Sequence, residues 1–137
     1  MADFKQAFDL TMKVEGGYTN DPDDNGNWTG GKKGVGHLVG TNYGITAPLL
    51  MAHLHRLPTQ DDMRHISMDL VKHIYKSEYW DAIRGDEIAD QETANQMYDS
   101  AVNMGTGTAI LLMRRTLGLA ETTHFDNAML NQLNQVV

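Results

Sequence analysis

Apolar residues recur at helical spacing along most of the chain. The first such pattern runs from about Asp3 to Val14 and places on one face the side chains of Phe4, Phe8 and Thr11. Asp3 can accept hydrogen bonds from the first turn as an N-cap. Gly16 and Gly17 tolerate the left-handed conformation that ends helices, so we predict that this helix stops before them.

Six further stretches repeat the helical pattern. Each begins at a capping residue or follows a glycine that breaks the preceding pattern. The predicted helices run from Thr46 to about Leu57, over a short stretch after Thr59, from Ser67 to about Trp80, from about Asp90 to Met104, from Thr108 to Leu117, and from Asp126 to Val137.

Residues 16–44 interrupt this series, because nine glycines in the stretch are incompatible with a helix. The segment predicts an irregular hairpin within residues 16–46, with Tyr18-Thr19 and Val35–Tyr43 as its strand pieces. The expected fold is therefore mainly α: a helical bundle with a small glycine-rich β-hairpin lobe. A cleft between lobe and bundle would suit an extended ligand.

Composition limits the possible partners. The 137 residues fit one domain, residues 1–137, and no apolar run approaches the ~20 residues of a membrane span. The net charge is −7, and the only basic clusters are Lys32-Lys33 and Arg114-Arg115, which argues against nucleic acid. An anionic polymer would have to be attracted locally. The N-terminus does not resemble a secretory signal, and the chain has no cysteine.

Glu15 is the most informative position for chemistry. It continues the stripe of Phe4, Phe8 and Thr11 at spacings of four, three and four, at the end of an apolar helix. Burial and the negative end of the helix dipole would both raise the pKa of its carboxyl group. A carboxyl that stays protonated can donate a proton to a leaving oxygen. The alternative is an exposed residue at a helix end.

The acidic loop that follows allows three interpretations. Asp21, Asp23, Asn25 and Gly26 match the first half of a calcium-binding loop, but Lys32 occupies the position that requires glutamate. Side chains of Asp and Asn also build turns without any ligand. In an enzyme, Asp21 would be a second carboxylate across the cleft. We expect no metal and no cofactor.

Several polar and aromatic side chains could line a cleft. Thr41 and Tyr43 lie at a predicted strand end, and Tyr79 and Trp80 lie at a predicted helix end, where their faces could stack on sugar rings. Asn103 could bind an N-acetyl group. The alternatives are strand packing for the first pair, core packing for the second and a helix cap for Asn103.

Five short motifs in this order resemble glycoside hydrolase family 108. They are Val14–Tyr18, Asn20–Pro22, Thr41–Thr46, Tyr79–Asp81 with Arg84–Asp86, and Ala101–Gly105. The family consists of lysozyme-like N-acetylmuramidases from phages, prophages and bacterial secretion loci, and the resemblance covers roughly residues 5–118. The stretch from Gly26 to Gly40 is longer than the family pattern.

The resemblance implies hydrolysis of the β-1,4 bond between N-acetylmuramic acid and N-acetylglucosamine in peptidoglycan strands. Glu15 would be the catalytic acid, with Asp21 and Thr41 opposite; Asp23 or Asp24 could replace Asp21. The expected substrate-binding residues are Tyr18, Asn42, Tyr43, Tyr79, Trp80 and Asn103. The fold would be lysozyme-like, and residues 90–137 would resemble part of a peptidoglycan-binding segment.

Two other functions fit the same residues. A lytic transglycosylase would use Glu15 without water and release a 1,6-anhydro sugar. A non-catalytic wall-binding or secretion accessory module would keep the fold and not need Glu15. A chain without a signal would reach the periplasm or wall by a phage holin or a secretion system, and a secreted toxin would also have an immunity partner.

Overall fold

A computed structural model describes residues 1–12 and 17–135 of the chain, and these residues are mainly helical, as predicted. Glu15 lies outside the described residues. Seven α-helices lie within them, labelled here in chain order: α1 Phe4–Met12, α2 Ala47–Leu54, α3 Gln60–Arg64, α4 Met68–Tyr75, α5 Gln91–Met104, α6 Thr106–Thr116 and α7 Asn127–Gln135.

Side-chain caps fix the starts of three helices where the sequence predicts them. Thr59 and Asp62 form a reciprocal capping box at α3. The Asp90 carboxylate accepts the Thr93 N–H at the start of α5, and the Asp126 carboxylate accepts the Met129 N–H at the start of α7. These short polar residues therefore determine where the helices begin.

Three helices depart from the prediction. Helix α2 ends at Leu54 rather than near Leu57, because His55 adopts the left-handed conformation that ends helices (φ 56°). The segment predicted as one helix to Trp80 is α-helical only to Tyr75 and continues as a π-helical turn, Lys76–Trp80. Such a turn adds one residue, which apolar spacing does not reveal. Helix α6 begins at Thr106 rather than Thr108, because Gly105 (φ 91°) separates it from α5 directly.

The glycine-rich segment forms single antiparallel bridges instead of strands within the described residues. The bridges join Thr19 to Thr41, Trp28 to Leu38, and Asn42 to Ile45. Glycines with positive φ recur along the segment at Gly31, Gly34, Gly36, Gly40 and Gly44. These turns leave no run of extended backbone, so the predicted strand pieces are not confirmed.

The chain divides into two compact units. The first comprises Met1–Lys13 and Tyr75–Val137, and the second comprises Val14–Ile74. The prediction of one domain over residues 1–137 stays a prediction. No helix in the described part of the chain has the length and apolarity needed to cross a membrane.

Aromatic side chains form the core of the first unit. The rings of Phe4, Trp80 and Tyr98 contact one another with centroids 5.7 to 5.8 Å apart, and Phe8 lies edge-on to Tyr75 at 5.8 Å. In the second unit, the fully or almost fully buried apolar residues are Val39, Ile45, Ala47, Leu50, Met63, Val71 and Ile74.

Candidate functional site

The predicted acid, Glu15, lies outside the described residues, so its burial and pKa stay predictions. The stripe that leads to it is present, because Ala7, Phe8 and Thr11 form the buried face of α1. The Thr11 hydroxyl donates a hydrogen bond to Asp99 Oδ1 at 3.3 Å. Helix α1 therefore turns the predicted face inward as far as Thr11.

The segment after Glu15 pairs with the T-N-Y-G-I-T segment. Thr19 and Thr41 exchange two backbone hydrogen bonds, N–H to O=C in both directions at 2.8 Å. Two motifs that lie about 20 residues apart in sequence are thereby held side by side. We take this backbone pairing as the centre of the candidate site, which lies in the second unit.

Asn27 links Asp21 to Thr41. Its side chain is fully buried, its Nδ2 donates to the Asp21 carbonyl at 3.0 Å, and its Oδ1 accepts the Thr41 hydroxyl at 2.7 Å. Its backbone carbonyl also accepts the N–H groups of Val39 and Gly40. One buried amide thus fixes both residues predicted to face the acid.

The three exposed aspartates of the loop have different partners. Asp23 forms a salt bridge with Lys33, and Asp24 Oδ1 accepts the Gly26 N–H to cap a short 3₁₀ turn. Asp21 Oδ1 accepts the Asp23 N–H at 3.0 Å. Much of the Asp-rich composition is therefore explained by turn building.

The residues from Asn42 to Ile45 form a tight turn. Tyr43 and Gly44 have consecutive positive φ values, 51° and 75°, and the Ile45 N–H donates to the Asn42 carbonyl at 2.8 Å. A tyrosine rarely adopts this left-handed conformation, so the turn holds Tyr43 under backbone strain. Its side chain is half-buried.

Asn42, predicted to bind substrate, is a structural residue. It is only 5% exposed, and its Nδ2 donates to the carbonyls of Met63 at 3.0 Å and Arg64 at 3.3 Å. The last residues of a helix leave carbonyls without partners inside the helix. Asn42 binds two of those of α3, so its amide has a structural role, and a substrate contact by Asn42 stays a prediction.

Trp80 is also a core residue, not a sugar-stacking surface. It has 0% exposure, and its Nε1 donates to Asp86 Oδ1 at 2.9 Å. A Cβ on Gly85 would lie 2.2 Å from the indole, which shows how closely the backbone covers one part of the ring. Core packing, the alternative weighed from the sequence, describes Trp80 correctly.

The other two predicted contacts of the first unit remain accessible. Tyr79 is half-buried, with its ring centroid 5.5 Å from that of Tyr75. Asn103 is exposed near the end of α5. Their roles in substrate binding stay predictions.

Tyr18 is held in place by three contacts. Its hydroxyl donates to the Val39 carbonyl at 2.9 Å, and its ring lies against Gly40, where a Cβ would come within 2.7 Å. The Arg64 guanidinium carbon lies over the ring, 5.0 Å from its centroid. This distance is that of a cation–π contact.

Arg64 differs from the neighbouring Arg56. Both Nη atoms of Arg56 donate to Asp62, and this hydrogen bonding holds the pKa of the Asp62 carboxyl well below its usual range. The Arg64 side chain is exposed and, among the described residues, has no carboxylate partner. Arg56 is therefore neutralised locally, while Arg64 keeps its donors available.

Sequence reasoning did not identify Asn27 and Arg64 as site residues. Asn27 looks like any other turn-forming residue in N-G-N, and Arg64 looks like the basic last residue of a short helix. Their partners lie 6 to 46 residues away in the chain. Only folding brings these partners into contact.

The chain is similar to a known family and to a solved structure. The family model described as Glycosyl hydrolase 108 matches residues 8–105. The structure of Brucella abortus SagA superposes with a TM-score of 0.75 over 98% of this chain and 70% of that chain, at 22% sequence identity. At that identity the likeness concerns the fold. No curated protein matches the chain.

Proposed function

The chain belongs to glycosyl hydrolase family 108, and we propose that it cleaves the β-1,4 bond between N-acetylmuramic acid and N-acetylglucosamine in peptidoglycan. Glu15 donates the proton to the leaving oxygen. The single observation that carries this proposal is the pairing of Thr19 with Thr41. It places the segment following the E-G-G-Y glutamate beside the segment predicted to face it.

Asp21 and Thr41 act opposite the acid in this proposal. Glycoside hydrolases use a second carboxylate either as nucleophile or to activate water, next to an oxocarbenium-like transition state. Asp23 is paired with Lys33, whereas Asp24 and Asp21 each accept one backbone N–H, so these contacts favour Asp24 and Asp21 equally over Asp23. A second observation favours Asp21. Its link to Thr41 through Asn27 supports the choice.

Tyr18 and Tyr43 of the second unit contact the glycan strand in the proposed enzyme, and substrate contacts by Tyr79 and Asn103 of the first unit stay predictions. Each keeps some accessible surface, unlike Trp80 and Asn42.

The enzyme acts in the periplasm or at the wall, which it reaches through a phage holin or a secretion system.

Digestion of purified peptidoglycan tests the proposal. The native protein is expected to release muropeptides with reducing ends, and Glu15→Gln to release none, because glutamine cannot donate the proton. Glu92→Gln is the matched control, since Glu92 is exposed and lies on α5 in the other unit.

Mass spectrometry of the products separates the alternatives. Anhydro sugars instead of reducing ends would identify a lytic transglycosylase. Equal release by the native protein and Glu15→Gln would remove Glu15 from the mechanism. No release by the native protein, together with retained binding to peptidoglycan, would identify a wall-binding module.

A further inference from the structure

The charge of the chain creates a problem for binding peptidoglycan. The protein carries a net charge of −7, and peptidoglycan carries carboxylates on its muramic acid residues or on its stem peptides. Like charges repel over roughly 8–10 Å at physiological ionic strength. A cation placed at the contact itself would offset this repulsion where the polymer binds.

Arg64 is positioned to be such a cation. Its guanidinium lies over the ring of Tyr18, three residues after Glu15, and Asn42 holds its backbone carbonyl. Tyr18 is in turn fixed to Val39 by its hydroxyl. Arg64 is thus attached to both motifs of the candidate site, through its backbone to one and through its side chain to the other.

The contact with Tyr18 leaves the hydrogen-bonding capacity of Arg64 intact. A cation–π contact does not consume N–H donors, and a guanidinium has five of them in a planar fork. This fork matches a carboxylate with two parallel hydrogen bonds, which a lysine ammonium cannot reproduce. The aromatic ring limits the motion of the side chain and so reduces the entropy lost on binding.

We propose that Arg64, positioned on Tyr18, binds a carboxylate of the peptidoglycan strand and thereby selects anionic over neutral glycans. This inference rests on the proposed function, since it assumes that the strand lies along the same site. The carboxylate has two sources: the lactyl group of muramic acid in peptide-free strands, and the stem peptide in strands whose lactyl group is in amide linkage.

Equilibrium binding of soluble fragments tests the proposal without relying on catalysis. The protein carries Glu15→Gln so that the fragments stay intact, and dissociation constants are measured by calorimetry with and without Arg64→Gln or Arg64→Lys. Three fragments are compared: a neutral N-acetylglucosamine oligomer, a peptide-free alternating strand, and a strand that bears stem peptides.

Arg64→Gln is expected to weaken binding of a carboxylate-bearing fragment by about tenfold or more, the effect of losing a hydrogen bond to a charged group. Binding of the neutral oligomer should change little, and Arg64→Lys should fall between. Loss confined to the peptide-free strand identifies the lactyl carboxylate, and loss confined to the peptide-bearing strand identifies the stem peptide.

Lys32→Gln is the control for net charge, since Lys32 is exposed in the same unit and loses the same charge. The proposal is overturned if Lys32→Gln matches Arg64→Gln, or if the neutral oligomer weakens equally, because Arg64 would then act only through Tyr18. It is also overturned if neither carboxylate-bearing fragment binds measurably. The catalytic proposal is tested separately: it fails if the protein that retains Glu15 releases no muropeptides, whatever the binding measurements show.

Discussion

At the scale of single residues, burial separates side chains that the sequence presents as equivalent. Tyr18 and Trp80 are both aromatic residues in family motifs, yet Tyr18 is half-buried beside Arg64, whereas Trp80 is inaccessible. Asn27 and Asn25 both lie in the polar loop, yet only Asn27 has its amide hydrogen-bonded at both ends inside the protein. The polar or aromatic character of a residue does not reveal which of these roles it has.

Asn27→Ala is expected to lower the free energy of unfolding by about 1–3 kcal/mol, because it leaves the Asp21 carbonyl and the Thr41 hydroxyl without their buried partner. Urea denaturation measures this change. Muropeptide release should fall as well, since both proposed catalytic residues lose their anchor.

Asn25→Ala provides the comparison for Asn27. Asn25 lies on the surface, and its Oδ1 accepts the Lys33 N–H at 2.9 Å. Its removal should reduce stability by no more than about 1 kcal/mol. If both variants lower the free energy of unfolding by the same amount, the buried hydrogen bonds of Asn27 stabilise the fold no more than the surface bond of Asn25.

At the scale of elements, helix α3 shows how a short helix is stabilised and then positions a site residue. It has only five residues, too few to be stable alone. The Thr59–Asp62 capping box and the Arg56–Asp62 pair hold its start, and Asn42 binds the carbonyls at its end. The helix can therefore present Arg64 to Tyr18.

Asp62→Ala is expected to lower stability by about 1–2 kcal/mol at pH 7, because it removes the cap of α3 and the partner of Arg56. The pKa of Asp62 is lowered in the folded protein by its bond to Arg56, followed by the Thr59 N–H. A carboxyl group whose pKa is lowered by folding stabilises the folded state at pH values above its pKa in the unfolded chain, about 4. This stabilisation is lost as the pH falls below that value toward the folded pKa. The difference between the native protein and the variant should therefore shrink as the pH falls from about 5 toward 2.

Urea denaturation across this pH range checks both effects. Asp61→Ala is the matched control, because Asp61 is the exposed neighbour, and its hydrogen bond is made by its backbone carbonyl. A difference between Asp62→Ala and the native protein that stays constant down to pH 2 would show that the Asp62 carboxylate does not stabilise the fold.

At the scale of the whole molecule, the net charge of −7 governs the approach to an anionic polymer. Repulsion between like-charged bodies acts over about 30 Å at 0.01 M salt and about 8 Å at 0.15 M. The rate of muropeptide release is therefore expected to rise between these salt concentrations, as screening removes the repulsion. Turbidity loss of a peptidoglycan suspension measures the rate.

Cleavage of peptidoglycan whose free carboxylates have been chemically amidated, measured at the same salt concentrations, is the reference for this prediction. Its rate should change little, because no long-range repulsion exists to be screened. A rate on peptidoglycan that falls with added salt would instead show that local attraction, such as that of Arg64, outweighs the net charge.

The sequence by itself determined the mainly α fold, the helix starts at Thr59, Asp90 and Asp126, and membership of glycosyl hydrolase family 108. Apolar spacing and capping residues are local properties, readable within about 15 residues of chain, and the order of the motifs is read directly along the sequence. These features can be identified without knowing any tertiary contact. Because apolar spacing is local, the prediction of one helix to Trp80 did not include the π-helical turn.

Only the tertiary structure decided which residues of the motifs are accessible. It buried Trp80 and Asn42, and it joined Asp21 to Thr41 through Asn27. It also placed Arg64 on Tyr18, which lies 46 positions away in the chain. The physical reason is that burial and pairing depend on which distant segments come into contact in the folded chain, and a local sequence pattern does not specify these contacts.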